Sequence, residues 1–81
     1  MFYVYAIYNR KHNKIYIGQT IDLKQRIELH NNKGFKKSFT AMFDGNWELI
    51  YREEVENRLE ALQREKQLKS YRGREFIKNL I

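Results

Sequence analysis

The chain has 81 residues, which is enough for one small domain with one hydrophobic core. It contains no cysteine, so disulfides, thiolate metal ligands and cysteine catalysis are excluded, and two histidines are too few for a structural zinc site. Sixteen basic and ten acidic residues give a net charge of +6, which suits a polyanionic partner. Charge alone is equally compatible with a basic solubilising surface.

The sequence predicts no attachment to a membrane. No apolar run approaches the roughly 20 residues of a membrane span. The N-terminus is apolar first and basic second, which is the reverse of a secretory signal. We therefore expect a cytoplasmic protein, and a monomer.

The first 20 residues predict an antiparallel hairpin. Phe2–Tyr8 and Lys14–Gln19 are rich in branched and aromatic residues, and the segment between them is polar. A four-residue loop at 10–13 would pair Asn9 with Lys14. Tyr5 would then lie opposite Gly18, and Tyr5 and Tyr16 would share one face as diagonal neighbours. A loop one residue longer or shorter would put the two phenols on opposite faces.

Capping signals predict two helices, with a third strand between them. Asp22 with Gln25 forms one capping box and Asn57 with Glu60 a second. Trp47–Tyr51 is typical of a strand beside the hairpin. The second helix should end near Lys69 or Tyr71, with Gly73 as the interruption.

Two apolar sets are expected on the inner faces of the second helix and of a short last helix: Leu59, Ala61, Leu62 and Leu68, then Phe76, Ile77, Leu80 and Ile81.

Glu65 departs from the helical pattern, because its i−4, i−3 and i+3 neighbours are the apolar Ala61, Leu62 and Leu68. A buried carboxylate without a partner is costly. One explanation is an ion pair with a lysine or arginine at the edge of the core. The other is a ligand for a divalent cation, since hard cations prefer carboxylate oxygen.

Arg26 and His30 lie on the same helical stripe as Leu23 and Ile27. Both side chains could reach solvent from the edge of that stripe. Alternatively they point into a cleft beside the hairpin, where an arginine can hold a phosphate and a histidine can move a proton near neutral pH. The tyrosines have their own simple explanation, because tyrosine packs well on strands.

Together these groups contain what phosphodiester hydrolysis needs: a carboxylate for a metal, a base for water and a cation for transition-state charge. Their order also resembles the GIY-YIG nuclease family, most closely the small single-domain bacterial members related to the N-terminal incision domain of the excision-repair nuclease. The resemblance covers essentially the whole chain. It rests on Tyr3-Val4-Tyr5, Tyr16-Ile17-Gly18, Asp22-Leu23-x-x-Arg26-x-x-x-His30 and Glu60-Ala61-Leu62-x-x-Glu65.

The resemblance implies an α+β fold, a three-stranded antiparallel sheet flanked by helices, over residues 1–81. It implies hydrolysis of DNA with one divalent metal, Mg²⁺ or Mn²⁺, on Glu65. Arg26 matches the arginine that contacts the scissile phosphate. Tyr5 and Tyr16 match the two motif tyrosines, one of which helps to activate water. Gly18 matches the motif glycine, where a missing side chain lets backbone or phosphate approach, and His30 matches a position near the reacting centre.

The chain also departs from the family. Tyr3 stands at the first motif glycine, Gln19 replaces a frequent lysine, and Asn79 is only an unaligned counterpart of a C-terminal asparagine. A catalytically weak or inactive nucleic-acid-binding module is therefore the alternative, and a partner protein for targeting is possible in either case. The predicted phosphate contacts are the basic residues Arg10, Lys11, Lys14, Lys33, Lys36, Lys37, Arg72 and Arg74.

Overall fold

The computed structural model describes residues 1–32 and 39–81. Its strands and helices follow in chain order, with a 3₁₀ turn at Thr40–Met42: β1 (Phe2–Asn9), β2 (Lys14–Thr20), α1 (Leu23–Asn31), β3 (Trp47–Val55), α2 (Arg58–Lys69) and α3 (Tyr71–Lys78).

The strands form one antiparallel sheet in the order β2-β1-β3, so β1 is central and β2 is an edge strand. Alternation along β1 sends Val4 and Ala6 to one face, where α2 and α3 pack. Tyr5 and Ile7 face the other side, where α1 packs together with Trp47. The predicted α+β fold with a three-stranded antiparallel sheet is confirmed.

The hairpin register is the one expected for a four-residue loop. Asn9 pairs with Lys14, Ile7 with Tyr16 and Tyr5 with Gly18. Asn13 closes the loop at φ 54°, a left-handed conformation that asparagine tolerates. As a result, Tyr5 and Tyr16 lie on the same face, with ring centroids 6.3 Å apart.

Both predicted N-caps are present. Asp22 Oδ1 accepts the backbone N–H of Gln25 at 3.1 Å, and Asn57 Oδ1 accepts that of Glu60 at 2.9 Å. β3 is longer than predicted and runs on to Val55, because the charged residues after Tyr51 continue to pair with β1. One extra residue, Ile50, forms a bulge where the register shifts between Ala6 and Ile7.

α2 ends at Lys69, as the sequence predicted, but Gly73 is not the residue that interrupts the helix. Ser70 ends α2 in an extended conformation, and its hydroxyl caps α3 by accepting the N–H of Gly73 at 3.3 Å. Gly73 lies inside α3. A Cβ there would come within 2.3 Å of the Gln67 carbonyl oxygen and 2.4 Å of Leu68 Cα, so the glycine allows α3 to cross closely over α2.

The predicted apolar faces of α2 and α3 are only partly buried. Ala61, Leu68 and Ile77 lie in the core below the sheet. Leu59, Leu62 and Phe76 are exposed, and so are Leu80 and Ile81, which lie beyond the end of α3 at Lys78.

None of the helices in the described part of the chain has the length and apolar character needed to span a membrane.

Candidate active site

The two motif tyrosines and the motif glycine meet on the α1 face of the sheet. Gly18 lies directly opposite Tyr5 in the β1–β2 pairing. A Cβ on residue 18 would lie 2.8 Å from Tyr5 Oη and 3.0 Å from Tyr16 Cε2. The space left by the missing side chain is therefore taken up by the phenol of Tyr5 and the edge of the Tyr16 ring.

His30 joins the phenols from α1. Its Nε2 forms a 2.9 Å hydrogen bond with Tyr5 Oη, and its Nδ1 forms a 2.8 Å hydrogen bond with Thr40 Oγ1. The Tyr16 ring lies 5.0 Å from the imidazole, centroid to centroid. Only 2% of His30 is exposed, so the explanation in which this side chain reaches solvent is wrong.

The surroundings of His30 favour the neutral imidazole. Burial, and then the nearby positive charge of Arg26, lower its pKa from 6.5 to about 4. A neutral imidazole donates through one nitrogen and accepts through the other, which matches its position between two hydroxyl groups. This environment favours a positioning role for His30 over the proton transfer near neutral pH that the sequence suggested.

Tyr5 contacts His30, Tyr16 and Gly18, and the charges of Arg26 and Glu65 act on it from two different helices. Its pKa lies well above 10, first because it is buried and then because Tyr16 and the carboxylate of Glu65 disfavour a second negative charge. The positive charge of Arg26 acts in the opposite direction. Arg26 on α1 and Glu65 on α2 are thus both close enough for their charges to act on this phenol.

Glu65 lies at the edge of the core, with 20% of its side chain exposed. Its Oε2 accepts a 2.8 Å hydrogen bond from Lys69 Nζ, one helical turn further on. The ion-pair explanation therefore describes the protein as it stands. It does not exclude the metal explanation, because Lys69 is 45% exposed and such a partner is readily exchanged.

The donor set at Glu65 fits a hard divalent cation. Mg²⁺ is commonly bound through one or two carboxylates, with its other positions filled by water and substrate phosphate. Glu65 offers one carboxylate, whose charge acts on Tyr5. In the described ranges 1–32 and 39–81, no group of three or more His, Asp or Glu side chains could hold a metal ion.

The predicted phosphate contacts are scattered and several have acidic partners. Arg10 Nε lies 2.7 Å from Glu48 Oε1, and Lys11 pairs with Asp44, whose pKa it helps to lower to about 2. Lys14 Nζ lies 5.6 Å from the centre of the Phe43 ring.

Two of the remaining predicted contacts are on α3. Arg72 and Arg74 are exposed, and Arg74 Nε donates to the Lys69 carbonyl at 3.1 Å. The predicted contacts Lys33, Lys36 and Lys37 lie outside the described residues.

Two residues that contact the candidate site, Lys69 and Thr40, were not predicted from the sequence. Lys69 could have been found from its i+4 spacing to Glu65. Thr40 carries no sequence signal, because its hydroxyl reaches His30 only through the packing of the 3₁₀ turn, where Trp47 Nε1 also donates to the Thr40 carbonyl at 3.3 Å.

Comparison with protein families agrees with this geometry. The model of the GIY-YIG catalytic domain matches residues 1–78, and the chain therefore belongs to the GIY-YIG family, a family of nucleases. Searches of curated proteins and of solved structures give no significant match.

Proposed function

We propose that this protein is a metal-dependent endonuclease that hydrolyses DNA phosphodiester bonds, and that residues 1–81 form one nuclease domain. The observation that carries the proposal is the cluster around Tyr5. Its phenol bonds to His30, lies beside Tyr16, and is influenced by the charges of both Arg26 and Glu65. Membership of a nuclease family supports the same conclusion.

Glu65 would hold the metal, Mg²⁺ or Mn²⁺, through its carboxylate. The bound cation would supply positive charge to the scissile phosphate and to the leaving oxygen. Lys69 must then give up its hydrogen bond to Glu65 Oε2.

Arg26 would contact the phosphate. It is half-buried on α1 beside the phenols, so its guanidinium acts where water screens charge less than on the open surface. The planar fork of N–H donors matches two phosphate oxygens. As negative charge builds up in the transition state, this contact becomes stronger.

The two phenols would have different roles. Tyr5 is 1% exposed, holds a hydrogen bond to His30 and has a raised pKa, so it stays protonated and positions its neighbours. Tyr16 is half-buried and borders the solvent-filled space along β2. We therefore assign to Tyr16 the contact with the attacking water.

The test is cleavage of circular DNA, both single-stranded and duplex, in Mg²⁺ or Mn²⁺. A circle has no ends, so its conversion to a linear product reports an endonuclease. We expect wild-type protein to cut and Glu65→Gln to bind DNA without cutting. Glu54→Gln is the matched control, because Glu54 is exposed on β3 at the opposite edge of the sheet. Equal cutting by wild type and Glu65→Gln would refute the proposal.

The ion pair between Lys69 and Glu65 favours a second candidate, a nucleic-acid-binding module without turnover, since it already neutralises the carboxylate. Salt-sensitive DNA binding with no cleavage in either metal would support that candidate. Recovery of cleavage on adding a partner protein would point to targeting in trans. A role in DNA repair, a cytoplasmic location and a monomeric state stay predictions.

A further inference from the structure

An open groove runs along the outer edge of β2, next to the candidate active site. It consists of two adjoining cavities of about 730 and 280 Å³, which share Ile15, Phe39 and Arg74 as lining residues. The smaller cavity is also lined by Tyr16 and therefore begins at the site itself. The larger one continues to the C-terminal end of α3.

The groove is positively charged. Besides Arg74, the cations that line it are Lys69 in the smaller cavity and Lys14 and Lys78 in the larger. No Asp or Glu from the described residues lines either cavity. A chain of phosphates is the occupant with complementary charge.

The present contacts of these cations are easily exchanged. Lys69 pairs with Glu65 at 2.8 Å, and Lys78 lies 3.9 Å from Glu75 with 61% of its side chain exposed. The exposed Lys78–Glu75 pair contributes little to stability, so a phosphate can replace that carboxylate at small cost. The ammonium of Lys69 has three N–H donors, so it can bind a phosphate besides Glu65.

Phe39 gives the groove an aromatic surface. It is 42% exposed, and its ring lies nearly parallel to that of Tyr16, at 22° and 6.4 Å between centroids. Together with Ile15 it forms an apolar part of a groove that is otherwise basic. A duplex offers phosphates and groove edges but hides the faces of its bases, whereas a single strand offers both phosphates and base faces.

We propose that this groove binds single-stranded DNA next to the scissile phosphate, with a base stacked on Phe39 and phosphates on Lys14, Lys69, Arg74 and Lys78. The inference rests on the proposed nuclease function for its choice of DNA, and it adds the strand state of the substrate. A duplex with no unpaired segment would use only the cations.

The test is fluorescence anisotropy with a labelled oligothymidylate and with a labelled duplex, in EDTA so that metal-dependent cleavage plays no part. Phe39→Ala should weaken binding of the oligothymidylate about tenfold, the effect expected of one lost stacking contact, and change duplex binding less than about twofold. The double variant Arg74→Gln/Lys78→Gln should weaken binding of both DNAs. Lys24→Gln, on the exposed side of α1, is the control for loss of a positive charge outside the groove and should change neither by more than about twofold.

Phe39 also contacts Phe43 and Trp47, so folding is checked by circular dichroism. If Phe39→Ala does not fold, Phe39→Leu serves instead, since it keeps apolar volume but has no aromatic face. Unchanged oligothymidylate affinity in a folded Phe39 variant, or an equal loss for duplex, would overturn the inference.

The two proposals fail separately. DNA binding that depends on Phe39, without any cleavage in Mg²⁺, would support the groove proposal and refute the nuclease function. Cleavage together with DNA binding that does not depend on Phe39 would support the nuclease function and overturn the groove proposal.

Discussion

Arg26 is half-buried on α1, and its positive charge acts on both Tyr5 and His30. A charge in that position is suited to a phosphate rather than to the surface of the protein. Arg26→Ala should therefore lower the rate of DNA cleavage by about 10² to 10³, as removal of other preorganised transition-state contacts does. The measurement is single-turnover cleavage at saturating protein.

Two further variants make the Arg26 result specific. Lys24→Ala removes an exposed cation from the same helix and should cut at nearly the wild-type rate. Arg26→Lys keeps the charge but loses the planar fork, so its rate should fall between wild type and Arg26→Ala. Full activity in Arg26→Ala would show that the phosphate contact lies elsewhere.

His30 makes the stability of the protein depend on pH. Its pKa is about 4 in the folded protein and 6.5 in the unfolded chain, so between these values the unfolded state binds more protons. The contribution of neutral His30 to the free energy of unfolding is about 3 kcal/mol. It is fully present above pH 6.5 and is lost as the pH falls towards 4. Chemical denaturation of wild type and His30→Gln across this range measures it.

The difference between the two proteins should shrink steadily as the pH is lowered, because glutamine does not titrate. A constant difference would mean that His30 is not buried in its neutral form. Tyr5, Tyr16, Thr40 and Arg26 lie near the imidazole, and none of these four is a carboxylic acid.

For single residues, the sequence shows which side chains are unusual but not what they contact. Helical periodicity predicts Glu65 on the buried side of α2, and its 20% exposed side chain agrees. Its approach to Tyr5 depends on how α2 lies across β1 and β2, which no local pattern specifies. The hydrogen bond from His30 to Thr40 is likewise a product of tertiary packing.

The crossing of α2 and α3 depends on the absence of a side chain at position 73. A Cβ there would meet main-chain atoms of Gln67 and Leu68 at 2.3–2.6 Å, and main chain cannot rotate away as a side chain can. Gly73→Ala should therefore lower the free energy of unfolding by at least about 3 kcal/mol, despite the better helix propensity of alanine.

Arg72→Ala is the control for that variant, because Arg72 is exposed on the same helix and should change stability by less than about 0.5 kcal/mol. Thermal unfolding of both variants gives the comparison. A Gly73→Ala protein as stable as wild type would mean that α3 does not lie so close to α2.

The helices and strands whose position depends on nearby residues in the chain were predicted well. The four-residue loop fixed the hairpin register, and the capping residues fixed the starts of α1 and α2. The end of β3 was missed because Arg52, Glu53 and Glu54 are charged, although a strand beside β1 needs only backbone pairing. The role of Gly73 was missed because a close crossing and a helix break require the same residue type.

The molecule as a whole carries a net charge of +6, and among the described residues four cations line the groove along β2. Binding of single-stranded DNA should therefore weaken with salt, with a slope of log K against log salt of about −0.7 for each phosphate neutralised. Four phosphate contacts give a slope of about −3. Arg74→Gln/Lys78→Gln should reduce it by about 1.4, whereas Lys24→Gln should leave it nearly unchanged.

A slope that falls equally for the groove and control variants would indicate diffuse attraction by the whole surface. Composition alone was equally compatible with a polyanionic partner and with a basic solubilising surface, and it gave no location for a partner. The location depends on Phe39 and on the α3 residues Arg74 and Lys78, which are far from Phe39 in the chain and approach it at the edge of β2.

The proposed nuclease function depends most on the binding of a cation by Glu65, and paramagnetic Mn²⁺ tests this binding directly. In NMR spectra of the wild-type protein, Mn²⁺ should broaden the signals of Tyr5, Gly18 and Glu65 first and leave those of Gly45 sharp. The same addition to Glu65→Gln should broaden none of them. Broadening that centres on Asp44 or another exposed acid, or that persists in Glu65→Gln, would contradict the account.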